Sequence, residues 1–535
     1  MNLAHTEGAS ITHASVIVVG AGPTGLILAH LLGVQGVRTL LIDREPATVG
    51  EARAVTIDDE SLRSIQATGH LDAVLPDITQ GYGVHYYSWR QRLFARIDPT
   101  VCEYGYQRRN AFRQDVLVRQ LCERLTQHPD VQVRFEHELV SFKQSDQGVT
   151  LNVNTPTGPR TLACEWLIAC DGGRSRIREQ LGVMLEGNTF GERWLIADLL
   201  GRASGFRHTR TYCDPERPTI RLPGPGGAVR YEFMLHPHEQ AEDVLDEARV
   251  RAWIRWREPA DATIRLVRKV VYTFHARVAQ RWRVGRVLLA GDAAHLTPPF
   301  AGQGMNSGVR DATNLAWKLA AVVRGTHAAH LLDSYEQERK PHAWALIRMA
   351  LRIGAFMQPK SRLGAAFTQG LLRLVCVIPA ARDYILQLKF KPKPRFERGF
   401  FVPSTAPQAV IPAGQLMTQP SLQRRNGTTV LLDDALGPGF AVLRWSGGID
   451  LTDAALPPDT RVIDVLRRED DFLPAPTSGL LLRDVSGEIA RVLDSAGALA
   501  VILRPDRYVF AYVTREVDLT RIHQMLSSKT HQASA

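Results

Sequence analysis

The sequence predicts an α/β fold: a parallel-sheet domain, a sheet-rich insertion within it, and a further α/β domain at the C-terminal end. Three observations predict it. Apolar, β-branched runs at Val16–Val19, Thr161–Ala169 and Val287–Ala290 read as strands buried on both faces. Helical patterns separate them, as parallel strands require. Residues 186–276 change texture to strand-like segments around a turn, Pro223-Gly224-Pro225-Gly226-Gly227.

The first run leads into Gly20-Ala21-Gly22-Pro23-Thr24-Gly25 and then the helical Leu26-Ile27-Leu28-Ala29. Gly20 allows the tight turn, Gly22 lets backbone approach a pyrophosphate, and Gly25 lets helix and strand pack closely. The helix N-terminus offers free N–H groups and partial positive charge. A second strand, Val37 to Ile42, ends in Asp43, placed to accept from a ribose hydroxyl, with Arg44 beside it. Strand, turn, helix, strand and acid in this order predict dinucleotide binding.

A helix is expected over Asp58 to Gly69, mixed strand over Val84 to Asp98, and a helix after Gln114 with Val116, Leu117, Leu121 and Leu125 on one face. Strands follow at Val131 to Phe135 and Val149 to Val153. The insertion offers strands at Thr209 to Cys213, Tyr231 to Leu235 and Ile264 to Phe274. A helix is expected from Asp311 to Arg324 and more helices over 333–390. Five prolines in 391–414 read as a linker. Beyond it, strands at Thr429 to Leu432, Phe440 to Trp445, Gly479 to Asp484 and Ala498 to Leu503, with a helical Val462 to Arg467, complete the C-terminal domain.

Composition narrows the function. With 535 residues, 44% hydrophobic and 22% charged, the chain is globular with several domains. The formal charge of +10 fits a basic surface or attraction of anionic substrates. The basic residues are not interleaved with aromatics, so nucleic acid is not an expected partner. No apolar run is long enough for a membrane span; Leu371 to Ala381 is short and contains Arg373. The first fourteen residues lack a basic start and an apolar core, so a cytoplasmic location is expected. The six cysteines form no Cys-x-x-Cys, and His236 and His238 stand as a bare pair; no metal site is expected.

Two further signatures end apolar strands in a carboxylate: Asp171-Gly172, and Gly291-Asp292. Each Asp is suited to accept from ribityl or ribose hydroxyls at the strand ends, or to cap the turn that follows. Taken with the glycine turn, these signatures over residues 15–345 resemble the flavin monooxygenases of the para-hydroxybenzoate hydroxylase type. Within that family, Ile57-Asp58-Asp59-Glu60, Arg108-Arg109-Asn110-Ala111-Phe112, Arg286 to His295 and Gly302 to Gly308 are most similar to the hydroxylases of 3-(3-hydroxyphenyl)propionate.

The resemblance implies a Rossmann-type FAD-binding domain (1–76, 105–185 and 277–390, with its helices), an inserted antiparallel-sheet substrate domain (77–104 and 186–276) and, after the linker, a thioredoxin-like domain (415–525). That last domain carries no dithiol and is expected at a subunit interface of a homodimer. FAD is the implied cofactor, NADH or NADPH a transient reductant, and O2 and a phenolic acid the substrates, giving a catechol. The alternatives are the same chemistry on another phenol or a polyketide, or a flavin reductase without oxygen insertion.

Residues implied to hold FAD are Gly20, Ala21, Gly22, Pro23, Thr24, Gly25, Asp43, Arg44, Arg53, Gln114, Asp171, Gly172, Gly291, Asp292, Pro298, Gly302, Gly304, Met305 and Asn306. A substrate carboxylate calls for an arginine, and Arg221 and Arg230 flank the Pro/Gly turn. Tyr212 and Tyr231 are placed to meet a phenol oxygen, and His275 to relay its proton. His295 is read as holding the loop after Asp292, and no acid or base is assigned.

Overall fold

A computed structural model describes residues 13–51, 53–201, 207–403, 408–451, 456–472, 480–515 and 517–527. The first twelve residues, read above for a leader, and Gly479 lie outside the described residues.

The first sheet has a parallel core in the order Val287–Leu289, Gly158–Ala169, His13–Val19, Thr39–Ile42, Val131–Arg134. Its register matters for function. Val19 pairs with Ala169 and Ile42, and Ala169 with Leu289. The four strands therefore end in one row, and Gly20, Asp43, Asp171 and Gly291 follow at the same edge. Helices Pro23–Val34 and Gly304–Val323 pack against each other.

The second sheet runs His295–Leu296, Arg265–Ala279, Leu185–Leu200, Ala228–Met234, Thr219–Pro223, Thr209–Cys213, Val84–Ser88, Leu93–Ile97. It is antiparallel except that Thr209–Cys213 lies parallel to Val84–Ser88. One face packs on helix Glu247–Arg257 through Tyr231, Phe233, Val250 and Ile254. Its other face closes a cavity with helix Asp333–Met357.

The C-terminal domain is a seven-stranded mixed sheet with helices Glu488–Ala496 and Val517–Ser527. Two local expectations are corrected. Arg461–Leu466 is a strand, not a helix: it is parallel to both Ala441–Trp445 and Leu480–Arg483, and this central place buries both its faces. The helix expected from Asp311 begins at Gly304. Gly308 lies inside it because Thr24 and Gly291 press against that turn, where a Cβ would come 2.2 Å from Thr24 Oγ1. No single helix among the described residues is long and apolar enough to cross a membrane.

Candidate active site

A cavity of about 340 Å3 joins the strand ends of the first sheet to the inner face of the second. Gly22, Pro23, Thr24, Arg53, Gln114, Gly172, Asp292, Gly302, Gly304 and Met305 line one end. The sequence had spread these residues over almost 300 positions; the shared register collects them.

Local chemistry sets each of them. Gly20 has φ +113°, and a Cβ there would sit 2.2 Å from the Cys170 carbonyl oxygen. At Gly25 the same atom would meet Gly20 O at 2.0 Å. At Gly22 it would meet nothing within 4 Å: the missing side chain leaves open space at the helix N-terminus. The Asp43 carboxylate holds the glycine turn, accepting from Ala21 N at 2.6 Å and Glu45 N at 2.9 Å. Arg44 is exposed and pairs with Glu45.

Gln114 Oε1 accepts from the backbone of Arg53 (3.2 Å) and Ala54 (2.6 Å), which fixes the Arg53 loop over the cavity. Asp292 is open to the cavity lumen but enclosed by protein. That enclosure raises its pKa, against the pull of His295 and Arg53. Asp171 accepts from Ile177 N in the first turn of helix Arg176–Gln180, which Ser175 caps, while its Oδ1 is buried with no hydrogen-bond partner. His295 is fully buried on Asp311 (2.6 Å), and Asp311 also accepts from Gly291 N (3.0 Å) and Arg339 Nε. Through Asp311, which also accepts from Gly291 N, His295 braces the Gly291–Asp292 turn, where the expectation had it hold the loop after Asp292.

The open cradle at Gly22, the orphaned Asp171 oxygen, and the free N–H groups of Gly304 and Met305 at a second helix start fit a dinucleotide with a polar, partly anionic body. Two of the residues expected at FAD keep their side chains out of the cavity wall. Pro298 is buried behind the wall that Thr297 and Pro299 form. The Asn306 amide is spent on protein: Oδ1 accepts from Asp58 N and Ser61 Oγ, and Nδ2 donates to Thr56 O and Gly302 O. It positions the Gly302 loop.

The other end of the cavity combines apolar and polar walls: Val84, Ile97, Ile220, Leu222, Met357 and Phe390 supply the apolar part. Its polar groups are Tyr86, Arg108, Arg109, Thr209, Thr211, Arg230, Glu232 and Lys391.

Strand alternation decides the substrate residues. Thr209, Thr211, Ile220, Leu222, Arg230 and Glu232 face the cavity, so Tyr212, Arg221 and Tyr231 face away. The Tyr212 hydroxyl donates to Glu258 (2.5 Å), and Arg221 and the Tyr231 hydroxyl both donate to Asp261 (2.6 and 2.7 Å). His275 sits outside the cavity wall beside Thr189. The expectations for these four are therefore corrected. Arg230 does line the cavity, but Asp198 holds it through two bonds (2.7 and 3.1 Å) and it also donates to Arg53 O.

Sequence reasoning missed three groups. Glu232 is buried, and its pKa is pushed up to about 7 by that burial, against the pull of Arg230. Arg109 stacks over Tyr82 at 4.7 Å and donates to Thr209 Oγ1; it has no carboxylate partner among the described residues. Lys391, in the stretch read as a linker, reaches Asp58 (3.0 Å) and Glu60 (2.8 Å) at the cavity floor. The missed signal for Glu232 was parity. Arg230 and Tyr231 are adjacent on a strand and cannot both face inward.

Comparison with known proteins places this geometry. Residues 13–350 match the model of the FAD binding domain, and 414–529 that of the HcaD C-terminal domain. The chain is 39% identical over 513 residues to a 3-(3-hydroxy-phenyl)propionate/3-hydroxycinnamic acid hydroxylase of Burkholderia cenocepacia, covering 93% of each chain. It is 36% identical over 509 residues to a protein of the same name from Mycolicibacterium smegmatis, covering 92% of this chain and 89% of that one. Its fold is similar to the flavin-dependent monooxygenase PieE, solved with FAD and substrate (TM-score 0.82, 24% identity, 97% and 99% covered). It is also similar to aklavinone-11 hydroxylase, solved with FAD and aklavinone (TM-score 0.77, 25% identity, 97% and 98% covered). With an FAD-binding model spanning more than half its length and such relatives over nearly all of it, the chain belongs to the FAD-dependent aromatic monooxygenases.

Proposed function

We propose that the enzyme hydroxylates a phenolic acid, 3-(3-hydroxyphenyl)propionate or 3-hydroxycinnamate, ortho to the phenol oxygen, with NADH or NADPH as reductant. The observation that carries this reading is Arg109. It is a cation without a carboxylate partner among the described residues, in the wall of a chamber that is continuous with the dinucleotide cradle and carries apolar walls at Val84, Ile97, Ile220 and Leu222. A flat ring suits the apolar walls, and a substrate carboxylate suits a guanidinium. FAD, when bound, supplies the oxygen chemistry that no side chain performs.

In this reading the chain's residues do four things. Gly22, Arg53, Gln114, Asp171, Asp292 and the Gly302–Met305 turn hold the cofactor. Apolar side chains orient the ring and exclude water from the reaction. Arg109 anchors the carboxylate. Glu232 takes the phenol proton as the ring becomes electron-rich. The names of the relatives support the substrate choice. A homodimer is part of the proposal and is read by sedimentation.

Arg109→Gln tests it. The KM for 3-(3-hydroxyphenyl)propionate should rise about 10- to 100-fold, the cost of losing one charge-assisted contact, while that for 3-ethylphenol changes little. Equal changes for both would remove Arg109 from this role. Reductant consumption without catechol from any phenolic acid would favour a reductase instead.

A further inference from the structure

Three histidines from separate parts of the first domain converge well away from the cofactor cradle. His30 lies on helix Pro23–Val34, about 10 Å along from its N-terminus at 1.5 Å per residue. His70 precedes the short helix Leu71–Val74, and His128 follows the turn Leu125–Gln127. Ring centroids are 4.7, 5.2 and 5.7 Å apart. One nitrogen from each lies within 4.8 Å of the others.

The proton positions follow from the partners. His30 Nε2 lies 2.8 Å from Leu121 O, and a carbonyl only accepts, so Nε2 carries the hydrogen. That leaves the Nδ1 lone pair facing His128 Nε2 at 3.1 Å. His70 is 8% exposed, and its Nε2 is buried with no hydrogen-bond partner. Burial lowers the pKa of all three rings, His30 to about 3, so each is the neutral imidazole a metal needs.

We propose that His30, His70 and His128 form a binding site for a zinc-type divalent cation, through His30 Nδ1, His70 Nε2 and His128 Nε2. A tetrahedral site with Zn–N bonds of about 2.0–2.1 Å has edges of about 3.3–3.4 Å, close to the His30–His128 separation. The bond from His30 Nε2 to Leu121 O is the outer contact that orients a ligating ring. His128 moves its proton to Nδ1, and the lone pair so freed is the third ligand. Arg124 is the charged neighbour; its repulsion acts on His30 and His70 and opposes a cation. Three neutral ligands and an open fourth position remain, the arrangement of a zinc site with an exchangeable ligand. The ion would clip the cofactor-binding helix to two segments distant in sequence.

The test uses the full chain with FAD bound, treated with chelator and titrated with Co2+ and then Zn2+. One Co2+ per chain is expected, with the intense visible bands of low-coordinate cobalt, displaced by Zn2+. His70→Gln and His128→Gln should each weaken Zn2+ binding at least 10-fold. His236→Gln, at the separate pair of stacked rings, should not. Circular dichroism and flavin content establish that each variant is folded. Wild-type protein that gives no such bands, or folded His70 and His128 variants that bind as wild type does, would overturn the site. The wild-type titration decides even where a variant fails to fold.

Discussion

Two carboxyl groups in the cavity differ in what their surroundings ask of them. Glu232 is buried, so its proton is held to about pH 7 in spite of the pull of Arg230. A raised carboxyl is protonated below that value and ionised above it. If it takes the phenol proton, kcat/KM should rise with pH through about 7, and Glu232→Gln should remove that limb from the profile while KM changes little. A profile that keeps the limb would assign it to another group. Asp292 instead opens onto the lumen, where, in the proposed reading, a cofactor hydroxyl would restore the hydrogen bonding that burial denies it. Asp292→Ala should weaken FAD retention about 10- to 100-fold, the loss of one hydrogen bond to a charged acceptor. Fluorescence titration of the apoprotein with FAD reads it, and wild-type affinity would refute the contact.

Among the elements, the contact between helices Pro23–Val34 and Gly304–Val323 sets the shape of the cradle. Both helices start at the cavity, so both point N–H groups and partial positive charge into it. Their approach depends on Gly308, which lies against Thr24 and Gly291 with no room for a methyl group. Gly308→Ala should destabilise the protein by about 1–3 kcal/mol, the usual cost of overpacking, and lower flavin content. Thr24→Ala removes the clashing hydroxyl, so the double variant should recover part of the loss. Additive melting temperatures would mean that the two residues do not compete for this space.

The whole molecule is joined by buried charge. Glu338, on helix Asp333–Met357, accepts from Arg504 of the C-terminal domain (2.7 and 2.9 Å), from Lys318 (2.6 Å) and Asn314 (2.7 Å), and from Phe400 N (2.8 Å). Arg504 also pairs with Asp506, and Arg63 makes a two-bond pair with Asp433, 2.7 Å each. Arg504 and Lys318 hold the Glu338 carboxyl down to about 2 against its burial. A depressed carboxyl stabilises the fold above its ordinary range, and that contribution fades as pH falls from about 4.5 towards 2. Glu338→Gln should cost about 3–5 kcal/mol near neutral pH, because it leaves buried cations uncompensated. The gap from wild type should narrow in urea unfolding at pH 3. A gap that is constant with pH would show that the carboxylate's charge is not what matters.

The sequence by itself determined the elements whose signals are local. A strand of β-branched residues, a glycine turn and an acidic strand end are written within one short βαβ stretch, from Val16 to Asp43. Such segments dictate their own backbone, so the strand, turn, helix and strand from Val16 to Asp43 and the strand ends before Asp171 and Asp292 were legible. Facing directions were not. Tyr212, Arg221 and Tyr231 were eligible by chemistry, and strand parity turned them outward, where Glu258 and Asp261 already engage them. Only the tertiary structure decided that Arg109 and Glu232 share a chamber with Lys391, because pairing between distant strands and the fold of 388–391 onto Asp58 depend on the whole core. It likewise brought His30, His70 and His128 together, since contacts across such separations leave no periodic trace along the chain.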